Sequence, residues 1–393
     1  MDPRLSRRTR WDLRPNRLAA ALAARKRRGD PVLDLTESNP TRCGLSAEGG
    51  RILAALARPA ALGYDPDPKG SPEARRAVAA LYAARGAPAS ADRIVLTAST
   101  SEGYSHLFRI LADPGEEVLV PRPSYPLFDL LARVNDVALR PYLLVEEEGF
   151  RIDVGSVEEA VSERTRAVVV VSPGNPSGSF LKREEREALV GVCLTRGCAL
   201  IADEVFSDYA SSEDPSRVAT LAGEDRVPTF VLDGISKMLA LPQMKLGWIA
   251  ASGPAGVRDE ALARLEVVAD TYLSVNTPVQ QALGDLMALR ITVQAPVRAR
   301  LAANRGLLDE ALRPPHPARA LPCEGGWSAV LRVPATRSDE EWALALLEED
   351  GVLVHPGFFF DFTTEGRLVV SLLPEEDVFR EGVRRLAARV AAG

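Results

Sequence analysis

Histidine is scarce in this 393-residue chain: there are three, His106, His316 and His355, so a histidine-rich metal centre is not expected. The four cysteines, Cys43, Cys193, Cys198 and Cys323, are scattered. Cys193 and Cys198 fall in a helix-to-strand region without metal-ligand spacing, and all four read as reduced thiols of a cytoplasmic protein. No stretch reaches the roughly 18 apolar residues of a membrane span. Positive charge is not in excess, with 48 Lys and Arg against 54 Asp and Glu, a net charge of −6. Neither nucleic acid nor an anionic membrane is therefore an expected partner. Internal repeats and low-complexity linkers are also missing.

The composition, 46% hydrophobic and 26% charged, is that of a globular protein. A chain this long suggests two domains. The N-terminus is arginine-rich (Arg4, Arg7, Arg8, Arg10, Arg14, Arg17), as a transit peptide can be. It reads instead as an arm followed by a short amphipathic helix, stopped by Gly29-Asp-Pro31.

The central stretch is 233–248. An apolar run, Phe230-Val-Leu-Asp, reads as a buried strand, after which Gly234 turns the chain and presents Ser236 and Lys237. A lysine leaving a core strand can be desolvated, which lowers its pKa and frees the lone pair that Schiff-base chemistry needs. Upstream, Arg93–Thr97 is a strand and Ala98-Ser-Thr-Ser-Glu-Gly103 opens a helix. Small hydroxyl residues there make an anion site, while Ser99 and Glu102 also fit a capping box. Tyr125 is held between prolines in Pro121-Arg-Pro-Ser-Tyr-Pro126, so its ring direction is restricted. Ala167–Val171 reads as a strand buried on both faces, followed by Ser172-Pro-Gly-Asn-Pro-Ser-Gly178 with Asn175 in the turn. Asp203 ends the strand Ala199–Asp203, at the edge where α/β sheets bind ligands.

Taken together, Lys237, Asp203, Asn175-Pro-x-Gly and Tyr64-Asp-Pro-Asp-Pro-Lys-Gly70 resemble the fold-type I aminotransferases that use pyridoxal 5′-phosphate (PLP), over roughly Leu33 to Leu372. The resemblance implies an α/β fold. A large domain, about 51–278, would carry a mostly parallel seven-stranded sheet flanked by helices. A smaller α+β domain would combine 1–50 with 279–393. Lys237 would bind PLP and shuttle the proton. Asp203 would hold the pyridine nitrogen protonated, and Asn175 would bond the phenolic oxygen. Ser99, Thr100, Ser101 and Lys245 would hold the phosphate, Ser236 would also bind the cofactor, and Tyr125 would stack on the ring. Tyr64 would reach the neighbouring site of a homodimer, and Asn39 would help hold the substrate.

Three positions depart from the family pattern. Phe206 stands where a tyrosine usually donates to the phenolic oxygen, and Phe cannot donate. Lys245 stands for an arginine, keeping charge but losing bidentate geometry. Val369 stands where an arginine usually pairs with the substrate α-carboxylate. Arg367, two residues earlier, and Arg42 are the candidate replacements; without either, the substrate would be an amine lacking that group. The implied reaction is transamination between an amino acid and a 2-oxo acid. β-Elimination or decarboxylation on the same cofactor is the alternative. A PLP-binding regulator is not expected, since the roughly 30 residues before Val32 are too few for a winged helix.

Overall fold

In the computed structural model, residues 5–45 and 48–393 are described; Arg4 of the arginine-rich arm lies outside them. After a two-residue strand, β1 (Leu33–Asp34), the chain lays down β2 (Ile94–Thr97), β3 (Glu117–Arg122), β4 (Ala138–Val145), β5 (Arg151–Ile152), β6 (Thr165–Val171), β7 (Ala199–Asp203), β8 (Thr229–Gly234) and β9 (Gly247–Ser252). These last eight form one sheet in the order β2-β9-β8-β7-β6-β3-β4-β5. The core strands β4, β3, β6, β7 and β8 run parallel, and β9 is antiparallel to both neighbours. Eight strands replace the expected seven because the short β5 folds back antiparallel on β4.

Each central strand is apolar on both faces because helices cover both. Alternate side chains point to opposite faces of a strand. Val168, Val170, Leu200, Ala202, Val231, Trp248 and Ala250 enter one core with Tyr82 and Leu189. Ala167, Val169, Ala199, Ile201, Phe230, Leu232, Ile249 and Ala251 enter the other with Phe108 and Leu265. The Trp248 indole N–H donates to the Tyr82 hydroxyl at 3.0 Å, so the largest buried ring leaves no polar atom unpaired.

A second sheet is antiparallel, ordered β10 (Arg319–Ala320), β11 (Ser328–Arg332), β14 (Arg367–Ser371) and β13 (His355–Pro356), while β12 (Val352–Leu353) pairs parallel with β1. Its core takes Leu18 and Leu35 from the N-terminal segment, with Leu331, Trp342, Phe379 and Leu386. Helix Arg17–Arg28 is capped by Asn16, which accepts from the Ala19 N–H at 2.8 Å, and stops at Gly29 with φ 76°. Val279, Leu283, Leu286, Val293 and Val297 pack in the large sheet's core, not the second one. The 22-residue helix Arg290–Ala311 then carries Leu308 into the second core. That helix therefore runs from one core to the other.

Candidate active site

The strands β2, β3, β6, β7 and β8 end at one edge of the large sheet, and β9 starts there. A cavity of about 400 Å³ opens at this edge and is closed from the other side by β11, β13, β14 and residues near Thr36. Its lining includes Ser99, Thr100, Ser101, Tyr125, Asn175, Asp203, Phe206, Ser236, Lys237 and Lys245. The structure thus gathers ten of the residues singled out in the sequence, drawn from five strand ends and, for Lys245, the start of β9.

Lys237 sits in the one-turn helix Ile235–Met238 directly after β8. Its ammonium lies 5.1 Å from the Trp327 ring and 5.7 Å from the Phe206 ring. Burial pushes its pKa below the ordinary lysine value, and the Asp203 charge opposes this. The Tyr209 hydroxyl donates to the Lys237 carbonyl at 2.8 Å and fixes the backbone of that turn.

Asp203 accepts from the Tyr104 hydroxyl at 3.0 Å and from the Val205 N–H at 3.2 Å. Burial raises its pKa to about 6, while these two donors and the Lys237 charge pull it back. A carboxyl so placed becomes fully ionised when a cation settles beside it. Tyr125 stands at the mouth with its ring edge-on to Phe128, centroids 6.4 Å apart. The Trp327 ring meets Phe206 at 5.4 Å in a T-shaped contact. The Trp327 indole N–H is buried without a partner among the described residues. Trp327 lines the cavity, a placement that the sequence did not signal.

Helix Thr100–Leu111 begins at the cavity. Ser99 accepts from the Glu102 N–H at 3.2 Å. Glu102 reaches back to the Ala98 N–H at 2.6 Å, one residue short of a reciprocal capping box. The first helical N–H groups and Lys245 form an electropositive corner opposite Asp203. Gly247 permits this arrangement: a Cβ there would lie 3.2 Å from Ser99 C and Thr100 N. A phosphate-bearing aromatic aldehyde fits this donor set: anion corner at one end, carboxyl at the other, amine and amide between.

Four expected site residues lie elsewhere. Tyr64 is 78% exposed, in a separate surface hollow with Asp67 and Leu273. Asn39 is off the cavity, its side-chain oxygen accepting from the Thr41 N–H and hydroxyl at 3.1 and 2.8 Å; Thr36 and Ser38 line the cavity instead. Arg42 is exposed, 3.5 Å from Glu37. Arg367 is buried off the cavity. It holds Glu146 through Nε at 2.6 Å and Nη2 at 3.0 Å, and its Nη1 donates to the Glu365 and Gly366 carbonyls. His355, Phe359, Phe360 and Val369 line the cavity wall where a substrate arginine was expected.

A sequence model described as "Aminotransferase class I and II" matches residues 37–386. The chain is 30% identical over 266 residues to nicotianamine aminotransferase 1 of Oryza sativa subsp. japonica, covering 65% of this chain and 53% of that protein, so the match spans about half of that relative's length. It is 27% identical to tyrosine aminotransferase of Bos taurus, covering 93% of this chain and 87% of that one. The fold superimposes on the alanine aminotransferase of Pyrococcus furiosus with a TM-score of 0.91 at 22% identity, over 99% and 100% of the two chains.

Proposed function

Since the chain belongs to the class I and II aminotransferases, PLP-dependent enzymes of fold type I, we propose that it moves the amino group of an amino acid to a 2-oxo acid with Lys237 as the reacting amine. The observation carrying this reading is the convergence of Lys237, Asp203, Asn175 and the Ser99–Ser101 helix start on one cavity. When bound, the cofactor supplies an electron sink for the bonds at the substrate's α-carbon. The Lys237 amine, its charged form disfavoured by burial, would be the group that holds the cofactor and serves as the base for the substrate's α-proton. Asp203 would face the ring nitrogen and hold it protonated. Tyr104 and the Val205 N–H hold its carboxyl in place. Asn175 would donate to the ring's phenolic oxygen, and Phe206 can add no second donor. Ser99, Thr100, Ser101, Ser236 and Lys245 would hold the phosphate, and Tyr125 would stack on the ring.

The active unit is a homodimer in this reading. Support comes from Tyr64, which is exposed and outside its own protomer's cavity, and from Leu62 beside it, 93% exposed. A cytoplasmic setting fits the four unpaired cysteines. Among the described residues no helix is long and apolar enough to cross a membrane.

The deciding experiment is borohydride reduction of the PLP-loaded protein followed by peptide mapping. The label is expected on Lys237, and Lys237→Ala should lose the visible absorbance of the bound cofactor. A label on another lysine refutes the assignment.

A further inference from the structure

A carboxylate taken out of water needs a cation or several donors. Among the described residues lining the cavity, three side chains can carry positive charge: Lys237, Lys245 and His355. Arg367 is tied to Glu146 and two carbonyls, and Arg42 faces solvent beside Glu37. In the reading above, which this inference rests on, Lys237 serves the cofactor's carbonyl carbon and Lys245 its phosphate. Within one protomer, one cation remains for an amino-acid carboxylate.

That residue is well held. His355 lies in β13 directly opposite Val369 of β14, so its ring emerges at the same wall as Val369 and Ser371. Phe359 and Phe360 pack against the ring at 5.9 and 5.7 Å between centroids, which restricts its direction. Neither of its ring nitrogens has a hydrogen-bond partner among the described residues. His316 contrasts with this, its ring nitrogens lying 3.2 and 3.1 Å from the Ala318 and Ala387 carbonyls. An imidazole with both nitrogens uncommitted, braced by aromatic rings and facing a cavity, is arranged to receive a ligand.

We propose that His355, as the imidazolium, is the binding residue for the α-carboxylate of the amino-acid substrate. Burial holds the ring's pKa below the ordinary histidine value, and the Asp34 carboxylate opposes that. Other charged groups around it are engaged or shared. Arg367 of β14 is paired with Glu146. Asp339, heading helix Asp339–Glu348, accepts from the Gly366 and Arg367 N–H groups. Asp203, Lys237 and Lys245 line the same cavity. Above neutral pH the empty site therefore holds an uncharged ring, and carboxylate binding takes up one proton. Affinity then weakens about tenfold per pH unit above the ring's pKa.

The test uses the PLP-loaded enzyme and propionate, a carboxylate without an amine, titrated by the absorbance of the bound cofactor from about pH 6 to about pH 9. Wild type, His355→Gln and His355→Arg are compared. His355→Gln should weaken propionate binding about tenfold or more at pH near 6 and lose the part of the pH slope due to the ring. His355→Arg should retain binding at every pH, with that part of the slope gone. The inference is overturned if His355→Gln matches wild type in affinity and slope, or if His355→Arg keeps the wild-type slope. Absence of cofactor absorbance in the wild type would refute the cofactor reading itself. A normal band with unaltered propionate binding in His355→Gln refutes the His355 assignment alone.

Discussion

Replacing Arg367 with methionine keeps an unbranched apolar stem and removes the guanidinium and its charge. Arg367 and Glu146 are each about nine-tenths withdrawn from solvent, with side chains 10% and 12% exposed. Glu146 follows β4 of the large sheet, whereas Arg367 belongs to β14 of the second, so the pair clasps the two together. Arg332, directly opposite Arg367 in the ladder, contacts the same carboxylate. A fully buried pair broken at one end costs about 3–5 kcal/mol, and a charge-assisted bond contributes about 1.5–3 kcal/mol net. Glu146 keeps the partly exposed Arg332, so the expected loss for Arg367→Met is about 2–3 kcal/mol, the lower end of these ranges. Glu146→Gln leaves Arg332 and Arg367 facing each other without their shared anion, and it should be destabilising too. Equilibrium urea unfolding of the two single variants, the double variant and the wild type gives the coupling directly, expected at about 1.5–3 kcal/mol. Amino-acid KM should stay within about threefold in Arg367→Met, because the residue lies off the cavity. Stability equal to wild type together with an amino-acid KM raised tenfold or more would return Arg367 to substrate binding and sink the reasoning.

Two further outcomes are expected. Glu204 is buried, accepts from the Leu221 N–H at 2.7 Å through Oε1, and has no partner at Oε2 among the described residues; burial raises its pKa to about 7. Its folded value lies above its unfolded one, so the folded state holds the proton longer and stability falls as pH rises through that window. Glu204→Gln keeps the Leu221 bond, so urea unfolding between about pH 5 and about pH 8 should show a shallower decline than wild type, and an unchanged decline would refute the assignment. For the dimer, a Tyr64→Phe variant mixed with Lys237→Ala should recover activity after subunit exchange, since one hybrid site keeps both residues. Confirmed exchange with no recovery would argue that each site is self-contained.

Much of the site was legible in the sequence because its parts are local. Lys237 follows a strand whose unbroken apolar run could only be buried on both faces. Asp203 ends another such strand, and Asn175 sits in a turn written by prolines and glycines. In a parallel sheet these ends share one edge whatever the intervening helices do. Helix starts were equally local: Ser71 accepts from the Ala74 N–H three residues on, as its place before Pro72 suggested.

What the chain pattern left undetermined depends on contacts between distant segments. Arg367 lies on the same strand face as Val369, and spacing alone made it a candidate for the substrate. Glu146, 221 positions earlier in the chain, claims its guanidinium instead. Asn39 is drawn into a turn by its own neighbour Thr41, a local bond that a side-chain inventory does not rank above a ligand. His355 and Trp327 were overlooked because neither stands in a recognisable motif. They face Lys237 and Asp203 only because the second sheet packs over the edge of the first, and no periodicity within either segment encodes that placement.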